Sequence, residues 1–318
     1  MFLSTINKKL NMPNNLHSVL MIRPSSFRYN HETAKNNYFQ NQNFSLNDDI
    51  ILNNALLEFD NLVSKIKDCG INVNVFHDDN KEDTPDSIFP NNWITFHENR
   101  RIAIYPMYAK NRRLERNENV FKFLEKNKIF INEIMDYSSA ENKGIFLEGT
   151  GSMVFDRINK KAYCSISERT NEDLIYEFCN DFDYMPIIFN SFHTHENKRK
   201  PIYHTNVMMC NANQYSLICL DAIDNQDEMK KVVESLEDDN KEIITISESQ
   251  IKLFAGNMIE LRKNKNSFLF MSETAYLSLD KNQLKRLKAH SELIYSSVDT
   301  IEKCGGGSVR CMIAEIFN

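Results

Sequence analysis

Cys304-Gly305-Gly306-Gly307-Ser308-Val309-Arg310-Cys311-Met312-Ile313-Ala314-Glu315 lies near the C-terminal end of the sequence. Three consecutive glycines open backbone dihedrals closed to other residues and allow close approach to a ligand. The mostly apolar, alternating run after them predicts a buried strand. Cys311 falls inside that run, where a thiol would face a pocket shaped by the glycine turn. The segment alone decides little, because a free cysteine is usually buried as a small hydrophobe. Its weight comes from recurrence.

A small or Asn-containing turn leads into an apolar strand five times: at Asn91-Asn92-Trp93-Ile94-Thr95, Gly151-Ser152-Met153-Val154-Phe155, Thr205-Asn206-Val207-Met208-Met209, Gly256-Asn257-Met258-Ile259-Glu260 and Gly307-Ser308-Val309-Arg310-Cys311. The second residues of these segments lie 51 to 60 positions apart, a period that signals an array or propeller. Each of the first four is followed by a polar turn and a second strand (101–106, 160–167, 214–221, 266–272). A helix (112–126, 171–182, 226–238, 281–290) and a third strand (128–134, 184–189, 241–247, 292–298) complete each unit. The fifth unit has only its first strand. Residues 18–24 can supply its second strand and 71–76 its third. Its helix falls at 46–69, with Asn47 or Asp48 as cap and Gly70 as stop. The expected fold is α/β: a five-bladed β/α propeller of ββαβ units with pseudo-fivefold symmetry, closed without open sheet edges around an axial cavity. Residues 16–318 form its single domain. Residues 1–15 are polar and unpatterned and read as a disordered leader, with Met12 as an alternative start.

Bulk properties exclude several function classes. Hydrophobic residues make up 42% and charged residues 26%, as in soluble globular proteins. A net charge of −6 argues against nucleic acid as a partner, since phosphate binding wants clustered Lys and Arg. No apolar run reaches the roughly 18 residues of a membrane span. No signal-peptide pattern opens the sequence, so the cytoplasm is expected. Seven scattered cysteines without a CxxC pair indicate neither a disulfide framework nor a thiolate zinc site. Opposite charges such as Asp227 and Lys231 mark the helices as a solvated exterior.

If the first strands ring an axis, residues at their starts share one pocket. That collects Cys311, His204, Glu148 and Asp86, the composition of a cysteine nucleophile with an acid/base and orienting charges. Singly, each has a plainer reading: a structural histidine, a turn glutamate before Gly-Thr-Gly, a turn aspartate after Pro85. Their joint appearance at equivalent points of a repeat favours the site.

Leu147 to Arg157 (LEGTGSMVFDR), His204-Thr205-Asn206, SERT at 167–170 and GGGSVRCM at 305–312 together resemble the guanidino-group-modifying superfamily. These are five-bladed β/α-propeller enzymes, among them arginine deiminases, dimethylarginine hydrolases, agmatine deiminases and amidinotransferases. Residues 21–40 and DSIFPNNWITFH at 86–97 are most similar to the arginine-deiminase-related citrulline-utilisation hydrolases. The resemblance spans about residues 17 to 318. It implies Cys311 as nucleophile, His204 as general acid/base and Glu148 as the carboxylate that holds the substrate's terminal nitrogens. It also implies Arg169 as a bidentate partner of the substrate carboxylate, with Asp86, Asn92 and Asn206 among the binding residues. Arg23 and Arg157 are further candidates with solvated or structural alternatives.

Two departures shape the substrate. Arginine deiminases and amidinotransferases carry an aspartate where Asn206 stands, and the Arg-Asp pair of arginine deiminases is replaced by Thr95-Phe96-His97-Glu98. A guanidinium is a cation and wants carboxylates, whereas a neutral ureido group suits an amide. The expected substrate is therefore a small ureido or guanidino amino acid, foremost citrulline, cleaved to ornithine, ammonia and carbon dioxide through a covalent Cys311 adduct. No cofactor or metal is required, and a homodimer is compatible with the sequence. The rivals are deiminase or amidinotransferase-type activity on a guanidino substrate, a metal hydrolase resting on His193 and His195, and a non-catalytic propeller. Ribosome anti-association factors share that propeller without its catalytic residues.

Overall fold

The computed structural model describes residues 16–40, 46–79 and 81–317. The expected leader at 1–15, including Met12, lies outside the described residues. Five three-stranded sheets repeat one topology: the first strand runs antiparallel to the second, and the second parallel to the third. In chain order they are Ile94–His97 with Arg101–Ile104 and Glu133–Asp136; Met153–Asp156 with Lys161–Ser165 and Met185–Phe189; Met209–Asn211 with Tyr215–Ile218 and Glu242–Thr245; and Ile259–Lys263 with Asn266–Ser272 and Glu292–Ser296. The fifth sheet joins the two ends of the chain. Ala314–Phe317 pairs with Leu16–Arg23, which pairs with Val73–His77.

A parallel pair needs a crossover, and helices supply it. Asp48–Asp68 starts where Asn47 accepts the Ile50 amide, and it buries Ile51, Ala55, Phe59, Leu62 and Ile66 along one stripe. Burying a side chain such as Phe59 contributes about 1.5–3 kcal/mol. Helices Glu172–Phe182, Gln226–Asp238 and Lys281–His290 fall where the pattern predicts them. The first unit differs. The expected helix over 112–126 splits into a tight turn, Asn111–Glu115, and a helix, Glu118–Lys126, capped by Asn117. Its third strand accordingly begins at Glu133. A hairpin outside the five sheets, Phe192–His195 with Lys198–Pro201, closes through Glu196 and Asn197, both at positive φ.

The main correction concerns the starts of the first strands. Pro90–Asn92, Gly149–Ser152, Thr205–Val207 and Val309–Met312 are short helical turns, and pairing begins only after them. Cys311 therefore sits on a tight turn, with its strand starting at Ala314. Close approach of backbones is the physical reason. A Cβ on Gly256 would lie 2.2 Å from the Val207 carbonyl oxygen, so the fourth leading segment packs backbone to backbone against the third. The turn 149–152 touches both 90–92 and 205–207, and 90–92 touches 309–312. The leading turns thus converge on one place.

Candidate active site

Cys311, His204, Asp86, Asn92, Arg112 and Arg169 line one pocket, with Phe89, Tyr203 and the backbone of the three glycines as its other walls. All six are buried. The Cys311 sulfur is approached by two amides: Asn257 Nδ2 at 3.2 Å and Asn206 Nδ2 at 3.6 Å. Asn206 Oδ1 is buried without a partner. Asn257 begins the fourth repeat, yet nothing in the sequence singled it out as functional.

His204 Nε2 lies 2.8 Å from Glu148 Oε2. Burial alone would raise the Glu148 carboxyl, but Arg169, the His204 bond and Arg112 outweigh it and hold the group well below the usual carboxylate range. The ionised carboxylate only accepts, so Nε2 carries the proton and Nδ1 keeps a lone pair. Burial pushes His204 down to about 4 against the pull of Glu148, so the imidazole is neutral near pH 7. Glu148 Oε1 accepts the Tyr108 amide, and Oε2 also takes Arg169 Nη1 at 3.4 Å. Expected to hold substrate nitrogens, Glu148 instead has both oxygens occupied by protein donors. It stands fully buried, outside the pocket lining.

The two arginines are equally engaged. Arg169 gives Nε and Nη2 to Asn36 Oδ1, Nη2 to the Thr33 carbonyl at 2.9 Å and Nη1 to Glu148. Arg112 holds Glu115 through Nε and Nη2, the Phe89 carbonyl through Nη2 and Asn92 Oδ1 through Nη1. Four of the five N–H groups of each have protein partners. A two-pronged clamp from Arg169 is thus not preformed. Arg112 stands first in the helix expected over 112–126, and only the tertiary structure turns it inward. Asp86 accepts from Asn30 and Thr33 and lies 3.9 Å from Arg112, leaving Oδ1 without a partner. Asn92 Nδ2 is likewise unpartnered. Residues 30–40 cross this wall, Asn37 and Gln40 reaching the carbonyls of Cys304, Gly305 and Gly306.

Arg23 pairs with Asp60 at 2.9 Å on the exterior, and Arg157 stacks on Phe317, so neither lines the pocket. His97 is buried among Phe155, Phe178 and Phe182 and bonded to Thr95. The segment that replaces the Arg-Asp pair is therefore a core network. His193 and His195 pack on Phe39 and Tyr38. Among the described residues, no three His, Cys, Asp or Glu side chains are grouped to hold a metal ion. No helix among them is long and apolar enough to cross a membrane.

The family described as "N,N dimethylarginine dimethylhydrolase, eukaryotic" matches residues 23–318. The chain belongs to this family. It is thereby a member of the guanidino-group-modifying superfamily. No curated protein matches it. Its fold is shared with the N-terminal domain of ArgZ in a form covalently bound to a reaction intermediate, at TM-score 0.71 and 17% identity over 95% of this chain and 98% of that one. Full-length ArgZ, an arginine dihydrolase from the ornithine-ammonia cycle in Cyanobacteria, gives the same score and identity, and the chain spans 40% of it. A dimethylarginine dimethylaminohydrolase adduct with S-methyl-L-thiocitrulline matches at TM-score 0.65 and 14% identity over 95% of this chain and all of that one.

Proposed function

We propose that this family member is a cysteine hydrolase that breaks a C–N bond of a ureido amino acid, citrulline above all, with its five sheets closed as the blades of a propeller around the site. The supporting observation is the neutral character of the Cys311 surroundings: the sulfur meets two amides, and Asn206 offers an unpartnered Oδ1 acceptor. The one carboxylate lining the pocket, Asp86, is countered by Arg112. A guanidinium would face two arginines there, whereas a neutral ureido group would satisfy the free acceptor of Asp86 and the free donor of Asn92 in the lining, with Asn206 behind the sulfur.

In this reading Cys311 attacks the ureido carbon while neutral His204 takes the thiol proton and gives it to the departing nitrogen. Glu148 keeps the imidazole in the required tautomer. His204 next takes a proton from water, whose oxygen attacks the covalent adduct and frees the sulfur. The resulting carbamate loses carbon dioxide. A second reading, hydrolysis of arginine or a methylated arginine, draws on the family's description and the arginine dihydrolase fold relative.

The test is ammonia or methylamine release from citrulline, arginine, agmatine and methylated arginines, with Cys311→Ser as control. Release from citrulline alone, lost in the control, supports the ureido reading. Release from arginine or its methylated forms replaces it with the second reading. Silence on the whole panel, with no labelling of Cys311 by a haloacetamidine, overturns both in favour of a binding module.

A further inference from the structure

Asn257 is 2% exposed, and its two polar atoms bridge the backbone of two other repeats at the Cys311 sulfur. Oδ1 lies 3.1 Å from the Arg310 amide nitrogen and 3.6 Å from the Cys311 sulfur, while Nδ2 lies 3.2 Å from the Asn206 carbonyl oxygen and, closer than Oδ1, 3.2 Å from the same sulfur. A backbone N–H only donates and a backbone carbonyl only accepts, so the two backbone partners fix which end of the amide is which. Nδ2 carries two hydrogens. One goes to Asn206, and the other is aimed at sulfur.

Donation to sulfur favours its anionic form, since a hydrogen bond made to the charged state stabilises that state. The amide is also held on rigid elements. Gly256 packs with no room for a Cβ against the Val207 backbone, and the Arg310 amide belongs to the same turn as Cys311. One side chain thus ties the third, fourth and fifth repeats together at the reacting atom.

We propose that Asn257 is a catalytic residue: its side-chain N–H stabilises the Cys311 thiolate and sets the direction from which the sulfur attacks. This rests on the reading of Cys311 as nucleophile. The amide remains neutral throughout, and the thiol proton goes to His204 as above. Its contribution resembles that of an oxyanion-hole donor, directed at the nucleophile.

The test compares wild type with Asn257→Asp, which is isosteric and keeps the acceptor for Arg310 but puts an oxygen against sulfur. Iodoacetamide labelling of Cys311, followed by mass spectrometry across pH, needs no substrate. Asn257→Asp is expected to label about 10- to 100-fold more slowly at pH 7 and to need higher pH for half-maximal rate, with kcat down about 100-fold and KM little changed. Asn257→Ala should fall between the two proteins in labelling rate. An unchanged labelling profile in folded Asn257→Asp overturns the proposal. Should the variants not fold, the wild-type protein decides: the Asn257 side-chain amide proton signals must differ between wild type and Cys311→Ala, and identical signals overturn it. Activity surviving in Cys311→Ser would instead sink the reading of Cys311 as nucleophile, and with it the catalytic role of Asn257, whereas a changed labelling profile with that control inactive supports both.

Discussion

Cys210 and Cys311 lie in the third and fifth repeats and are equally buried, at 4% and 5% exposure, yet their surroundings make different groups of them. Cys210 is on the strand Met209–Asn211, in the apolar cluster with Met208, Leu217 and Met258. Among the described residues no donor reaches its sulfur, and burial above all pushes its thiol up to about 12. Cys311 sits on the leading turn, one step nearer the convergence of the repeats, and meets two amide N–H groups. Depth alone silences a thiol. In the proposed mechanism, depth with aimed donors and a neutral imidazole on the same pocket makes a nucleophile.

The sharpest way to break that contrast is paired substitution. Cys311→Ser should lower turnover at least about a thousandfold, while Cys210→Ser should retain turnover and lose about 1–3 kcal/mol of stability by burying a hydroxyl without a partner. Ammonia release and thermal melts separate the two, and equal loss of activity in both would erase the distinction.

Geometry comes next. A Cβ on Gly151 would sit 2.4 Å from Asn92 Nδ2 and 2.8 Å from the His204 ring. Gly151→Ala should therefore displace the imidazole and, if His204 acts as proposed, lower kcat about 100-fold, the cost of misplacing a reacting group by about 1 Å. A crystal structure of the variant with His204 unmoved, or kcat unchanged, would show that the imidazole position is not limiting.

A smaller change of specificity should follow from the charge at Asn206. Asn206→Asp puts an anion beside the pocket and should raise the arginine-to-citrulline ratio of kcat/KM about tenfold, a 1.4 kcal/mol preference. A constant ratio would mean that Asn206 does not read substrate charge.

The mildest effect is on stability. The unfolded His204 takes its proton near 6.5 and the folded one only at about 4. Between those values the unfolded chain binds more protons, so this contribution grows as pH rises from about 4 to 6.5 and is lost on acidification. The depressed Glu148 acts in the same direction, whereas Glu302, pushed up to about 7 by burial, destabilises as pH rises from 4.5 to 7. The melting temperature of His204→Asn should accordingly be less acid-sensitive than wild type between pH 4 and 6.5. Parallel curves would place His204 outside this linkage.

Much of the fold was legible because long periodic elements declare themselves. The helix Asp48–Asp68 repeats its buried residues at helical spacing behind an Asn47 cap, and Leu16–Arg23 finds its place because the fifth unit otherwise lacks a second strand. The turn Val309–Met312 reads as strand because four residues carry no period, and the stretch from Arg112 reads as one helix because the spacing after it is helical, although the helix begins only at Glu118. Thr33 and Asn36 meet Arg169 from 136 and 133 residues away, a separation no local pattern encodes.

By itself the sequence determined the five-unit count, the crossover helices and the set of a thiol, an imidazole and a glutamate at equivalent repeat positions, since burial periodicity and caps are local properties. Only the tertiary structure decided which way those groups face: Glu148 toward His204 and Arg169, Arg112 into the pocket wall, Asn257 onto sulfur. Hydrogen bonds are directional and the leading turns meet backbone to backbone, so orientation depended on neighbours that the chain brings together only when folded.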